Sequence, residues 1–162
     1  MIIYLLRHGD APYDAKDCER SLSSQGKIDT QNVIRQHLSE LAKLQLIVCS
    51  TTLRSKQTLQ VLSDVLDYPG EVLLSNMLCS SGKVSAVQAY INQLIGSRNL
   101  ESVLLLSHQP LIGDILEYIT DQKGLSWSMN TSTFAAIDAA SFSRGFGRLK
   151  SITHSSCSKI SS

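Results

Sequence analysis

Met1-Ile2-Ile3-Tyr4-Leu5-Leu6-Arg7-His8-Gly9-Asp10 opens the chain and decides how the rest is read. Residues 2–6 are apolar without polar alternation, the pattern of a central strand covered on both faces. The run stops abruptly at Arg7-His8-Gly9. Two other short apolar runs behave the same way: residues 46–49 lead into Ser50-Thr51-Thr52-Leu53-Arg54, and residues 103–106 lead into Ser107-His108-Gln109-Pro110. Helical stripes separate them. Val33, Ile34, His37, Leu38 and Leu41 predict a helix over about 27–42, and Leu59, Leu62, Val65 and Leu66 predict one with Ser50 and Thr51 as N-cap residues, closing before Pro69-Gly70. Val84, Val87, Ile91, Leu94 and Ile95 form a stripe ended by Gly96, and Pro110 starts one holding Leu111, Ile115, Leu116 and Ile119. Residues 71–74 predict a further strand, and 134–140 and 146–152 a final pair joined around Arg144-Gly145. Residues 10–25 are polar and aperiodic and read as a surface loop. This alternation predicts an α/β fold of three layers, α/β/α, around a mostly parallel central sheet of about six strands.

A chain of 162 residues suits one domain, here expected over 1–155, with the serine-rich residues 156–162 as a disordered tail. Hydrophobic residues make up 43% of the chain and charged ones 18%, enough to bury a core and unlike a disordered sequence. Fifteen Lys and Arg oppose fourteen Asp and Glu, so no summed field exists to hold a nucleic acid or a membrane surface. Any anion site must be a local concentration of charge. Cys18, Cys49, Cys79 and Cys157 are far apart with no C-x-x-C pair, which excludes a zinc knuckle and a disulfide scaffold and makes them most simply buried small hydrophobes. The first apolar run is too short for a signal peptide or a membrane span, so the expected location is the cytoplasm.

In a sheet of this kind ligands bind beyond the C-terminal strand ends. Arg7 and His8, Arg54, and His108 all follow such ends, and Arg20 lies in the long polar loop. Guanidinium groups present planar forks that match phosphate oxygens in pairs. Single histidines off this set carry less: His37 reads as a packed or partly exposed structural residue and His154 as a surface one.

Four ordered segments carry a resemblance. Leu6-Arg7-His8-Gly9, Arg20-Ser21-Leu22-Ser23 followed by Gly26, Ser50-Thr51-Thr52-Leu53-Arg54-Ser55-Lys56-Gln57-Thr58 and Ser107-His108-Gln109-Pro110-Leu111 resemble the histidine phosphatase, or phosphoglycerate-mutase-like, superfamily. The opening Arg7-His8-Gly9-Asp10-Ala11 and the lack of an inserted cap domain make the chain most similar to its small phosphohistidine phosphatases of the SixA type. The resemblance implies a metal-independent phosphatase without cofactor, in which His8 is the nucleophile that becomes a phosphohistidine. It further implies that Arg7, Arg54, Arg20 and His108 hold the phosphoryl oxygens. The implied partner is a histidine-phosphorylated phosphotransfer protein, either a histidine phosphotransfer domain or a phosphotransferase-system carrier, met by a monomer.

One departure bears on substrate. Superfamily members acting on phosphate esters commonly carry a Glu or Asp general acid between the second arginine helix and the late histidine, yet Leu74-Ser75-Asn76-Met77-Leu78-Cys79-Ser80-Ser81-Gly82-Lys83 has no carboxylate. An alkoxide needs a proton to leave, help worth about 10²–10⁴ in rate, whereas a phosphohistidine with a protonated ring departs as neutral imidazole. The segment therefore favours N–P bonds. Asp10 is the remaining candidate for proton transfer or for orienting His8. Two other functions compete: a small-molecule phosphate monoester phosphatase of the same superfamily, and a catalytically silent domain that binds phosphohistidine.

Overall fold

The computed structural model describes residues 1–155; the expected tail at 156–162 lies outside the described residues. Six strands form one sheet: β1 (Ile2–Arg7), β2 (Leu46–Ser50), β3 (Glu71–Ser75), β4 (Ser102–Ser107), β5 (Phe134–Ala139) and β6 (Gly147–Thr153). Their order is β3-β2-β4-β1-β5-β6. The first four run parallel, while β5 and β6 add antiparallel to β1, so the sheet is mostly parallel as the alternation predicted.

Helices cover both faces. On one side lie α1 (Ser24–Arg35), the short α2 (Leu38–Leu41) and α3 (Leu53–Leu66); on the other lie α4 (Val84–Arg98) and α5 (Leu111–Thr120). The apolar run of β1 divides between the two cores by the period of two along a strand. Ile3 and Leu5 join Leu105, Val87 and Ile115 under α4 and α5, whereas Tyr4 and Leu6 join Leu106, Ile34 and Leu62 under α1 and α3. An unbroken apolar run is what such a double-sided position requires.

Four sequence expectations are corrected. The helix over 27–42 is two helices: α1 begins at Ser24, where Ser23 caps it by accepting a hydrogen bond from Gly26 N, and the chain breaks at His37. The buried His37 ring stacks on Phe134 at 4.2 Å and bonds Glu40 and Thr153, an inward turn that takes its backbone out of the helix. Ser50 belongs to β2 and Thr52 is the N-cap of α3. Gly96 sits inside α4, which ends at Asn99 in a left-handed conformation. Finally, Cys49 is buried but Cys18 is exposed and Cys79 half-buried, so burial does not explain all the cysteines; Cys157 lies outside the described residues. Among the described residues no helix is long and apolar enough to cross a membrane.

Gly26 packs where no side chain fits: a Cβ there would lie 2.4 Å from the Asp10 carbonyl oxygen and 2.7 Å from Asp10 N. Gly26→Ala should therefore destabilise the protein by about 1–3 kcal/mol in urea denaturation. Gly96→Ala, whose Cβ would meet nothing within 4 Å on helix α4, should stabilise it by about 0.5–1 kcal/mol in the same assay.

Candidate active site

The C-terminal ends of β1, β2 and β4 are neighbours in the sheet, and they bring Arg7, His8, Arg54 and His108 around one cavity of about 300 Å³. Arg20, Asp10 and Asp17 reach it from the loop between β1 and α1. That loop is fastened at several points. Gly9 N donates to Thr58 Oγ1 at 3.1 Å, Leu22 N to Gln57 Oε1 at 2.7 Å, and Ser23 N to the Asp10 carbonyl at 2.9 Å. The α3 segment Arg54–Thr58 thus both lines the cavity and holds its rim.

His8 is 4% exposed. Its Nδ1 lies 2.7 Å from the Gly9 carbonyl oxygen, which can only accept, so Nδ1 carries the proton and Nε2 carries the lone pair. Arg54 Nε donates to that Nε2 at 3.2 Å. Burial, followed by the charges and dipoles of His108, Arg54 and Arg7, pushes the His8 pKa down to about 3 against the Gly9 hydrogen bond. At neutral pH the ring is neutral and held in one orientation.

His108 stands across the cavity, its ring centroid 4.9 Å from that of His8. Its Nε2 is surrounded by hydroxyls, with Ser50 Oγ at 2.6 Å, Ser55 Oγ at 3.3 Å and Thr52 Oγ1 at 3.4 Å. Each of these hydroxyls can donate or accept, and in the tautomer in which Ser50 donates to Nε2 the proton sits on Nδ1. Burial and then Arg54 lower this histidine to about 4 as well. His108 Nδ1 and Arg7 Nε are buried and have no partner among the protein atoms. Leaving a buried donor unmade costs about 1–3 kcal/mol, so the cavity is suited to an anion with several acceptor oxygens.

The arginines differ. Arg7 spends one nitrogen on the Met129 carbonyl at 3.0 Å, and Arg54 spends its outer edge on Asp17, through the backbone carbonyl and through Oδ2 at 3.2 Å. Arg20 reaches the cavity wall but is bound into the loop: Nε donates to the Pro12 carbonyl, Nη2 to the Ala11 carbonyl and Nη1 to Asp17 Oδ1, with the exposed Tyr13 ring packed 3.7 Å from its Cζ. Asp10 lines the cavity, but its carboxylate accepts from the Ser23 hydroxyl at 2.7 Å; His8 is oriented by Gly9 and not by Asp10. The stretch 74–83 contributes Ser80 to the wall and no carboxylate. Asp17 and Tyr13 went unread in the sequence, because one acid among four in an aperiodic loop has no spacing to distinguish it. Among the described residues no group of three His, Cys, Asp or Glu gathers as a metal site.

No family model matches the chain. It is 32% identical over 114 residues, 70% of each chain, to the phosphohistidine phosphatase SixA of Escherichia coli strain K12. Its fold superposes on the protein histidine phosphatase SixA complexed with tungstate with a TM-score of 0.85 at 26% identity, covering 95% of this chain and 97% of that one. Weaker likenesses, which concern the fold alone, include a mycobacterial glucosyl-3-phosphoglycerate phosphatase complexed with VO3 (TM-score 0.71, 14% identity, 93% and 97% covered). Another is the α-ribazole phosphatase of Shigella flexneri (TM-score 0.70, 16% identity, 96% of each). The chain belongs to the SixA-type phosphohistidine phosphatases of the histidine phosphatase superfamily.

Both cavity histidines are held neutral well below the ordinary imidazole pKa of about 6.5, so the unfolded chain binds more protons than the folded one as pH falls from about 6.5 to 4. Their contribution to stability is complete above pH 6.5 and is lost on acidification through that window. Replacing either with Ala should flatten the fall in unfolding free energy by about 1.4 kcal/mol per pH unit, read by urea denaturation between pH 4 and 6.5.

Proposed function

We propose that this chain is a phosphohistidine phosphatase that removes the phosphoryl group from a histidine of a phosphotransfer protein, with residues 1–155 as its catalytic unit. The observation that carries this reading is the pair formed by His8 and its setting: a buried imidazole whose Nε2 lone pair faces a cavity lined by arginine donors. Family membership supports it, and so does the absence of a carboxylate from 74–83.

In the first half-reaction the His8 Nε2 lone pair forms a bond to phosphorus while the P–N bond to the substrate imidazole breaks and its electron pair returns to that ring. Arg54 shifts its Nε–H from His8 to a phosphoryl oxygen. Arg7 Nε and His108 Nδ1, both without a partner among the protein atoms, donate to the remaining oxygens, and charge is stabilised by groups already in place. The arginines supply the positive charge that a metal supplies in other phosphoryl-transfer sites. Gly9 retains its hydrogen bond to Nδ1–H, so the phosphorylated His8 ring keeps a proton and can leave as neutral imidazole when water attacks phosphorus in the second half-reaction. Neither step requires an alkoxide to be protonated.

The partner is a protein presenting its phosphohistidine at the cavity mouth, either a histidine phosphotransfer domain or a phosphotransferase-system carrier. Free thiols at Cys18, Cys49 and Cys79 fit a reducing compartment such as the cytoplasm.

Turnover with a phosphohistidine protein should trap acid-labile phosphate on His8, and His8→Ala should lower the rate by about 10³-fold or more. Arg54→Ala should cost about 10²–10³-fold. Persistent turnover in His8→Ala would overturn the covalent route, and faster turnover of an aryl phosphate than of phosphohistidine would favour a phosphate ester as substrate. Absence of turnover with phosphohistidine binding unchanged in His8→Ala would leave a binding domain.

A further inference from the structure

The cavity holds an acidic group that the chemistry above does not use. Asp17 sits on a single 3-10 turn, Asp17–Glu19, in the loop between β1 and α1. Its Oδ1 lies 3.2 Å from Arg20 Nη1 and its Oδ2 lies 3.2 Å from Arg54 Nη2, yet the side chain is 62% exposed. Arg54 therefore spans the site, with its inner nitrogen on His8 and its outer edge on Asp17. In an in-line displacement the leaving group lies opposite the nucleophile. With His8 buried at the cavity floor, the leaving group occupies the mouth, where Asp17 stands. The other mouth carboxylate, Asp10, is tied to Ser23.

Resting on the phosphohistidine reading, we propose that Asp17 selects the protonated phosphohistidine ring, its carboxylate accepting the N–H of the leaving imidazole. Each carboxylate oxygen has one arginine bond and keeps a further acceptor position. No proton changes hands: His8 Nε2 bonds to phosphorus, the P–N pair returns to the substrate ring, and that ring keeps its N–H and leaves neutral. The same carboxylate disfavours esters on two counts. It adds a negative charge beside a dianionic phosphoryl group with no compensating cation on the substrate. It also offers no proton to an alkoxide, because hydrogen bonds from Arg54 and Arg20 hold its carboxyl below the ordinary range against the upward push of partial burial.

The test compares wild type, Asp17→Asn and Asp17→Glu on a phosphohistidine peptide and on an aryl phosphate, with tungstate inhibition and a thermal melt for each. Asp17→Asn should melt like wild type and lose about tenfold in kcat/KM on phosphohistidine, the scale of one charge-assisted hydrogen bond. Its aryl phosphate turnover should hold or rise, and tungstate should inhibit it more strongly. Asp17→Glu, which keeps the charge, should keep most of the preference for phosphohistidine. Equal losses on both substrates would overturn the proposal and leave Asp17 as a residue that only positions the arginines. Equal gains would also overturn it, leaving a carboxylate that merely occupies the phosphate site. A wild type inert towards phosphohistidine but active on the aryl ester would instead sink the reading on which the proposal rests.

Discussion

The contact from Arg54 Nε to His8 Nε2 is the constraint that the rest of the site answers to. A guanidinium that is 3% exposed is tolerable only if its donors are satisfied, because an unpaired buried charge costs several kcal/mol. The fold satisfies all three nitrogens without using a strong internal counter-ion: one on His8, one on a backbone carbonyl and one on a carboxylate that remains largely in solvent. Excess positive charge is thereby left pointing at the cavity. The loop must then be held against α3 so that the Asp17 backbone stays in reach, which Thr58 and Gln57, one turn further along the helix, accomplish through Gly9 and Leu22.

Burial has two effects on the same histidines. It keeps both imidazoles neutral well below their ordinary pKa, and it strengthens any hydrogen bond made to them or to Arg54 beyond its value in water. The cost is borne by stability: two neutral buried imidazoles become a liability in acid, and two buried nitrogens find no partner among the protein atoms. Such a site is held against its own local preferences by the surrounding core. The central position of β1, flanked by β4 and β5 and packed on both faces, supplies that rigidity directly beneath His8.

Much of this was legible in the sequence because it rests on periodicity and on strand ends. The unbroken apolar runs located β1, β2 and β4, and their termini located Arg7, His8, Arg54 and His108. What was not legible involves contacts across the chain. The stripe from Val33 to Leu41 passes over the break at His37 because α1 and α2 face the same core, so the period is preserved while the helix is not. Ser50 looked like a helix cap, and only β4 lying beside β2 shows that its hydroxyl serves His108. Asp17 was invisible for a related reason: its importance comes from Arg54, 37 positions away, and nothing in the loop itself marks it.

Substrate class is not a property of this fold. The same three layers, at 14–16% identity, accompany names as different as glucosyl-3-phosphoglycerate phosphatase and α-ribazole phosphatase. What can differ at constant architecture is where a carboxylate stands relative to the leaving group and whether it holds a proton. Here the stretch 74–83 contributes Ser80 to the wall, with Thr51 donating to Asn76 and Cys79 packed against the Ser50 and Thr51 hydroxyls, and it brings no acid to the cavity from that side. The acids come from the opposite loop, and Asp17, the one not tied to a serine, is paired with two arginines. A carboxylate so paired is an acceptor. Acceptors favour leaving groups that arrive already protonated, and imidazole attached to phosphorus meets that condition near neutral pH where an alcohol does not.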